Sequence, residues 1–134
     1  MEEIHISDLA GVTLRAANLP GLHEREEVLF ILTSDEHEYL FYHMQDCCEM
    51  VDFEELGGEI AFLIDVPIIE GTKIRRVASE AERQTDHLEE ELTTYTLSTR
   101  KGKVDFRFTG LHNGHYSVNV WIGKIPRREG YITF

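Results

Sequence analysis

The feature that most constrains the fold of this chain is the strict alternation of apolar and polar residues along Thr93–Thr109. The apolar positions are Tyr95, Leu97, Val104, Phe106 and Phe108. A period of two is typical of strands that bury one face and expose the other. A two-residue turn at Lys101-Gly102 predicts a hairpin that pairs Leu97 with Phe106 and Tyr95 with Phe108, because this register keeps every apolar residue on one face.

The same alternation predicts a third strand after the turn residues Asn113 and Gly114. A two-residue turn there would put the apolar residues of the two strands on opposite faces, whereas a three-residue loop places Phe108 opposite Val118. The left-handed position of such a loop favours Gly114. The C-terminal third is therefore predicted to be a three-stranded meander whose apolar face packs on a helix or on another sheet.

Upstream, the runs Val28–Thr33 and Glu38–His43 are apolar on both faces. They predict a hairpin in the middle of a sheet, with a layer packed on each side. Strands are also predicted over Val12–Ala16 and Ile68–Val77. Residues 79–92 combine a thin apolar stripe with many acidic residues, which indicates a mobile loop or a marginal helix.

Helical segments are predicted around residues 52–65, where apolar residues recur at helical spacing and Gly57-Gly58 interrupts them. These apolar residues are Phe53, Leu56, Ile60, Leu63 and Ile64. The predicted fold class is therefore α+β. We expect one domain over residues 1–134, with a mostly antiparallel sheet of six or seven strands and short helices on part of one face.

Charge is unevenly distributed along the 134 residues, whose net charge is −12. Residues 1–92 carry 23 acidic and 6 basic groups, whereas residues 93–134 carry 2 acidic and 7 basic groups. This balance disfavours nucleic acid as a partner of the whole chain, and it is typical of proteins that bind an oppositely charged protein or form homo-oligomers. A solvated surface is the alternative. The basic residues of Lys124–Arg128 are expected to form a solvated tail.

A cytoplasmic location is predicted from three observations. No apolar run approaches the ~20 residues that cross a bilayer, so no membrane contact is expected. The first five residues are acidic where a secretory signal would be basic. A disulfide between the adjacent Cys47 and Cys48 would be strained, and this favours two reduced thiols.

The first group of candidate site residues lies within His43–Glu49. Its members are His43, Gln45, Asp46, Cys47, Cys48 and Glu49. A thiolate with His43 as its base, a zinc site or a ligand-binding loop would each use these residue types. Adjacent cysteines fit the usual zinc spacing poorly, so neither a metal nor a cofactor is predicted. The structural alternative is a turn that buries two small cysteines.

The second group follows the predicted central strand of the meander. Its members are His112, Asn113, His115, Tyr116 and Ser117. These side chains are able to line a binding site, but asparagine and glycine in such a loop are equally explained by the backbone geometry of a hairpin. Phosphate-binding glycine loops, nucleophile elbows, HExxH motifs and dinucleotide fingerprints are absent from the sequence, which disfavours several common enzyme classes.

The two groups together resemble a small domain of unknown function from bacteriophages and bacteria. The likeness covers roughly residues 28–120 and rests on the H-x-Q-D-C-C-E motif of His43–Glu49, on Thr99-x-x-Gly102 and on the N-G-x-Y-S motif of Asn113–Ser117. His112 and Glu59 depart from the serine and aspartate of that pattern. The resemblance implies a phage or prophage setting, one α+β domain, and two loops that meet in space. It implies no activity.

Three functions are compatible with these patterns. The first is a non-enzymatic interaction module that binds a protein, such as a host protein, through an acidic surface. The second is a small enzyme or ligand binder that uses the two loops, with a thiol and a histidine. The third is a metal site drawn from His43, Glu49, His112, His115 and the two cysteines. We expect the first, and we expect no catalytic activity.

Overall fold

Nine strands form two antiparallel sheets in the computed structural model, which describes residues 1–22, 24–44, 49–79, 89–112 and 118–128. The strands are β1 Glu2–Ile4, β2 Leu14–Asn18, β3 Val28–Ser34, β4 His37–Tyr42, β5 Glu49–Gly57, β6 Glu70–Val77, β7 Glu89–Thr99, β8 Gly102–His112 and β9 Trp121–Pro126. Two short 3-10 turns cover Ile6–Leu9 and Ile60–Phe62. In the described part of the chain, no helix is long and apolar enough to span a membrane.

The first sheet has the order β1-β9-β4-β3-β2 and the second has the order β5-β8-β7-β6. The predicted hairpin of β3 and β4 is confirmed, and it occupies the middle of the five-stranded sheet. One face of this hairpin packs on the second sheet, and the other carries a smaller apolar cluster of Val28, Ile31 and Leu40. Residues on both faces of the hairpin are buried, which explains why the two strands are apolar on both sides.

The core lies between the two sheets and is built around aromatic side chains. Phe41 of β4 is fully buried and contacts the rings of Tyr95, Phe106 and Phe108 at centroid distances of 5.1–5.4 Å. Phe30 of β3 packs against Phe53 and Phe106 in the same way. Because each ring comes from an inward-facing position of its strand, this packing aligns the sheets face to face as a β-sandwich.

The predicted α+β class is wrong. Strands account for 63% and helical turns for 6% of the described residues, so the fold is all-β. The first part of the predicted helical region, residues 52–57, belongs to β5, and only the 3-10 turn Ile60–Phe62 in that region is helical. In β5 a bulge adds one residue between Phe53 and Glu55. The extra residue places Phe53 and Leu56 on the same inner face although they are three positions apart. A bulged strand therefore reproduces the apolar spacing of a helix.

The hairpin of β7 and β8 is present, but its register differs from the prediction by two residues. Leu97 lies opposite Val104 and Tyr95 lies opposite Phe106. The turn is formed by Arg100 and Lys101, because Gly102 already belongs to β8. Both registers bury the same face, so alternation does not distinguish between them.

The predicted three-stranded meander is also wrong. After β8 the chain crosses to the other sheet, where β9 lies between β1 and β4, and β5 takes the predicted place of the third strand beside β8. Val118, Val120 and Ile122 are buried as the pattern indicated. Either sheet would bury these three side chains, so their apolar pattern does not show which sheet the strand joins. The predicted turn lies within residues 113–117, which are outside the described residues.

The predicted solvated tail is wrong at Arg128. Its backbone N–H and its Nε and Nη2 donate to the carboxylate of Glu38 at 2.8–2.9 Å, and Nη2 also contacts Glu24 Oε1 at 2.5 Å. Glu38 is fully buried on the outer face of the five-stranded sheet. Burial raises the pKa of Glu38, but the hydrogen bonds from Arg128 outweigh this effect and hold it below the ordinary value. Arg128 therefore stabilises a buried carboxylate.

Candidate functional site

A polar cluster lies at one end of the sandwich, between the two sheets. We define it as His43, Glu49, Arg75, Glu91, His112 and Asn119. His43 follows β4, and its Nδ1 lies 2.5 Å from the carbonyl oxygen of Asn119 while its Nε2 lies 3.1 Å from Oε1 of Glu49. The side chains of His43 and Glu49 are only 4% and 1% exposed. Both nitrogens of the His43 ring therefore face oxygen atoms, and the two side chains are shielded from solvent.

The second arm of the polar cluster starts from the edge strand β6. Arg75 donates from Nε and Nη2 to the carboxylate of Glu91, both at 3.1 Å, and from Nη1 to the side-chain oxygen of Asn119. Nε2 of His112 lies 3.2 Å from Glu91. Asn119 therefore joins the two arms, because its backbone carbonyl contacts His43 and its side chain contacts Arg75.

The structure brings together the sequence-predicted candidates that it describes. Glu49 of β5 lies directly opposite His112 of β8 and bonds to His43. The other candidates lie outside the described residues: Gln45, Asp46, Cys47, Cys48, Asn113, His115, Tyr116 and Ser117. No cluster of three or more potential metal ligands occurs in the ranges that are described, and the proposed thiol ligands fall outside them.

Sequence reasoning missed Arg75, Glu91 and Asn119. Glu91 lies in the segment that was predicted as a loop or marginal helix, where Glu89–Leu92 instead begins β7 and residues 80–88 are not described. Arg75 and Asn119 come from distant parts of the chain, and nothing in their local sequence indicates a shared contact. Only the pairing of β6 with β7 places Arg75 beside Glu91.

A cleft opens on the side of the sandwich where β1 and the turn Ile6–Leu9 face β6. The ammonium of Lys73 lies at its floor, 5.2 Å from the ring centre of Tyr95 and 5.9 Å from that of Trp121, and donates to the carbonyl of Val120 at 3.4 Å. Burial lowers the pKa of Lys73, and the nearby Arg75 lowers it further. Lys73 and Arg75 therefore tie one edge of the second sheet to the first sheet.

The two edges of the four-stranded sheet carry opposite charge. The acidic edge is β5, whose nine residues include Glu49, Asp52, Glu54 and Glu55 and no basic residue. The basic edge is β6, which carries Lys73, Arg75 and Arg76 against the single acid Glu70. Each of these strands pairs with one other strand in the described structure, so each leaves one row of backbone groups without a neighbouring strand there.

Exposure distinguishes the acidic edge from the polar cluster. Asp52, Glu54 and Glu55 are exposed, with Glu55 bonded to Arg107 at 2.7 Å and Glu54 bonded to Thr109. His43 and Glu49 are almost completely buried and bond to each other. The carboxylates of Asp52, Glu54 and Glu55 are therefore accessible to a large partner, whereas Glu49 and His43 belong to a buried structural network.

Comparison with known proteins identifies a family but no activity. The family model described as domain of unknown function (DUF7448) matches residues 3–122. No curated protein and no solved structure matches the sequence.

Proposed function

The chain belongs to the DUF7448 family of domains of unknown function, and on this premise we propose that it is a non-enzymatic module that binds a basic protein segment along its acidic edge. The observation that carries the proposal is the combination of exposed carboxylates at Asp52, Glu54 and Glu55 with an edge strand that has one neighbour in the described structure. We infer a protein partner rather than a small molecule, because an extended strand edge matches a peptide backbone.

Recognition would follow the physics of strand addition. An extended peptide beside residues 52–57 of β5 would exchange backbone hydrogen bonds with the N–H and C=O groups along the outer side of the strand, which supplies affinity. Lysine or arginine on the peptide would meet the carboxylates of the acidic edge, which supplies specificity and speeds association. Net charge of −12 on the whole chain adds long-range attraction for a basic partner.

We further propose a phage or prophage setting and a cytoplasmic location, with a host protein as the source of the basic segment. The H-x-Q-D-C-C-E and N-G-x-Y-S motifs support the phage setting through their resemblance. Adjacent cysteines that disfavour a mutual disulfide support the location.

Charge reversal at Asp52 is expected to weaken binding of a basic peptide about ten-fold, because a favourable contact becomes a repulsive one. The probe is an extended ten-residue peptide of alternating lysine and valine, with fluorescence anisotropy as the readout. Asp52→Lys lies on the acidic edge, and Glu36→Lys is the matched control, since Glu36 is an exposed acid in the turn between β3 and β4.

Binding should also weaken as salt rises, since the contacts are solvent-exposed. A peptide with glutamate in place of lysine should not bind. Equal weakening by Glu36→Lys and Asp52→Lys would show that the peptide responds only to net charge, and the proposed edge would then be rejected.

A second candidate function is a thiol-dependent enzyme or ligand site at the end of the sandwich that holds the polar cluster. It is favoured by one observation, the convergence of His43, Glu49 and His112 from three separate strands or strand ends. Rapid alkylation of Cys47 or Cys48 by iodoacetamide in the folded protein at pH 7, slowed by His43→Gln, would support it. If the thiols react only after the protein is unfolded, this second candidate function is rejected.

A further inference from the structure

We infer that the cleft between β1 and β6 binds a small organic carboxylate that carries an apolar body. The inference does not depend on the proposed function, because the cleft lies beside β6 and the acidic edge is β5, at the opposite side of the same sheet. The volume of the cleft is about 470 Å³. Binding sites for small molecules are typically clefts of about 300–1,000 Å³.

The walls of the cleft are largely apolar. Tyr95 and Ile122 are almost completely buried, whereas Trp121 is 37% exposed. Gly71 of β6 packs directly on the backbone of Ile6, and a side chain at position 71 would collide with the carbonyl oxygen of Ile6. Both of these residues line the cleft, so their contact closes it at that point. The apolar body of a ligand would therefore be shielded from water inside the cleft.

The ammonium of Lys73 determines which charge the ligand carries. It lies 5.2 Å from the ring centre of Tyr95 and 5.9 Å from that of Trp121, so it already occupies the aromatic faces that would attract a cation. Among the described residues it makes no ion pair, and its one hydrogen bond is the 3.4 Å contact with the carbonyl of Val120. An ammonium has three N–H donors, so donors remain for an anion.

The charged neighbours of Lys73 favour a ligand with a single negative charge. Arg75 already binds the carboxylate of Glu91 through two hydrogen bonds. Burial and the nearby Arg75 lower the pKa of Lys73, which indicates that its ammonium lacks compensating negative charge. A ligand carboxylate would supply that charge. Glu3 lines the cleft as an exposed carboxylate, and it would repel a ligand that carried a second negative charge.

Trp121 is the only tryptophan of the chain, so its fluorescence reports directly on the cleft. The probes are phenylbutanoate, phenylbutanol and phenylbutylamine, which share one apolar body and differ in charge. Each is titrated into the full chain at pH 7. Phenylbutanoate should change the emission saturably and bind about ten-fold more tightly than phenylbutanol, because it adds a charge-assisted hydrogen bond. Phenylbutylamine should bind more weakly than either.

Three variants test the residues that the inference uses. Lys73→Met should weaken binding of phenylbutanoate about ten-fold and leave that of phenylbutanol unchanged, because methionine keeps the apolar stem but not the charge. Lys103→Met is the matched control, since Lys103 is exposed on β8, does not line the cleft and carries the same charge. Glu3→Gln should tighten binding of phenylbutanoate, because it removes a repulsive charge.

Thermal unfolding verifies that each variant keeps the fold, and the comparison of the three probes on the wild type requires no variant. Equal affinity for phenylbutanoate and phenylbutanol would overturn the inference. The same conclusion follows if Lys73→Met weakens binding of phenylbutanoate no more than Lys103→Met does, or if phenylbutanoate leaves the emission of Trp121 unchanged.

Discussion

Replacing Glu49 with alanine is expected to lower the free energy of unfolding by about 3–5 kcal/mol, because it leaves His43 buried without its carboxylate partner. The two side chains are 4% and 1% exposed and lie 3.1 Å apart, so water has little access to the vacated site. Urea denaturation at pH 7 measures the loss. Glu89→Ala is the control, since Glu89 is exposed at the same end of the sandwich and should change stability by less than about 0.5 kcal/mol.

Replacing both partners should cost less than replacing Glu49 alone. In a variant with leucine at positions 43 and 49, no buried charge remains, and apolar side chains of similar size fill the interior. With the single variants His43→Leu and Glu49→Leu, this variant completes a double-mutant cycle, whose coupling energy reports the interaction between the two groups. If Glu49→Ala is as stable as the wild type, the pair of His43 and Glu49 does not stabilise the fold. That result would favour the second candidate function, in which the polar cluster forms part of an enzyme or ligand site.

Replacing Arg128 with methionine is expected to cost about 2–3 kcal/mol at pH 7. The usual cost of breaking a buried pair is reduced here, because the Arg128 side chain is 37% exposed and water retains access to it. Glu38 would then be a fully buried carboxylate without its guanidinium. Arg127→Met is the matched control, because Arg127 is exposed and, among the described residues, its side chain makes one long hydrogen bond of 3.5 Å to the carbonyl of Ser34 and acts on Glu38 only through its charge.

The effect of Arg128→Met should shrink as the pH falls. In the wild type the folded-state pKa of Glu38 lies below its ordinary value of 4.5, so its stabilising contribution is present above that value and is lost as pH falls through the folded pKa. Without the Arg128 side chain, only the backbone N–H of residue 128 and the charge of Arg127 still oppose burial, so the pKa of Glu38 rises and protonation relieves the variant. Unfolding curves at pH 7 and pH 4 measure both effects. A difference that is constant between these pH values would contradict this role for Arg128.

The strands could be predicted from local sequence more readily than their arrangement in sheets. Alternation located β7 and β8, and two-sided apolar runs located the central hairpin. The register of β7 and β8 was missed because a shift of two residues keeps the same face buried. The sheet that β9 joins was not predicted, because the inner face of either sheet offers apolar neighbours to Val118, Val120 and Ile122. Such choices depend on contacts between distant residues.

The helix prediction failed for a local reason, the bulge in β5. Its extra residue gives Phe53 and Leu56 the spacing of a helix face, and a period that changes within one strand is not recognisable from apolar spacing alone. The polar cluster was predictable only in part. His43, Glu49 and His112 stood out as polar residues beside apolar strands, whereas Arg75 and Asn119 enter it only through the tertiary fold.

Amide hydrogen exchange, followed by NMR with and without the lysine–valine peptide, tests most directly whether the acidic edge of β5 is the binding edge. Bound peptide should slow exchange at outward-facing amides within residues 52–57 of β5 and leave those of β2, one edge strand of the other sheet, unchanged. Slowed exchange in β2, or binding that leaves β5 unchanged, would show that the peptide is held elsewhere and that β5 is not the edge that binds a partner.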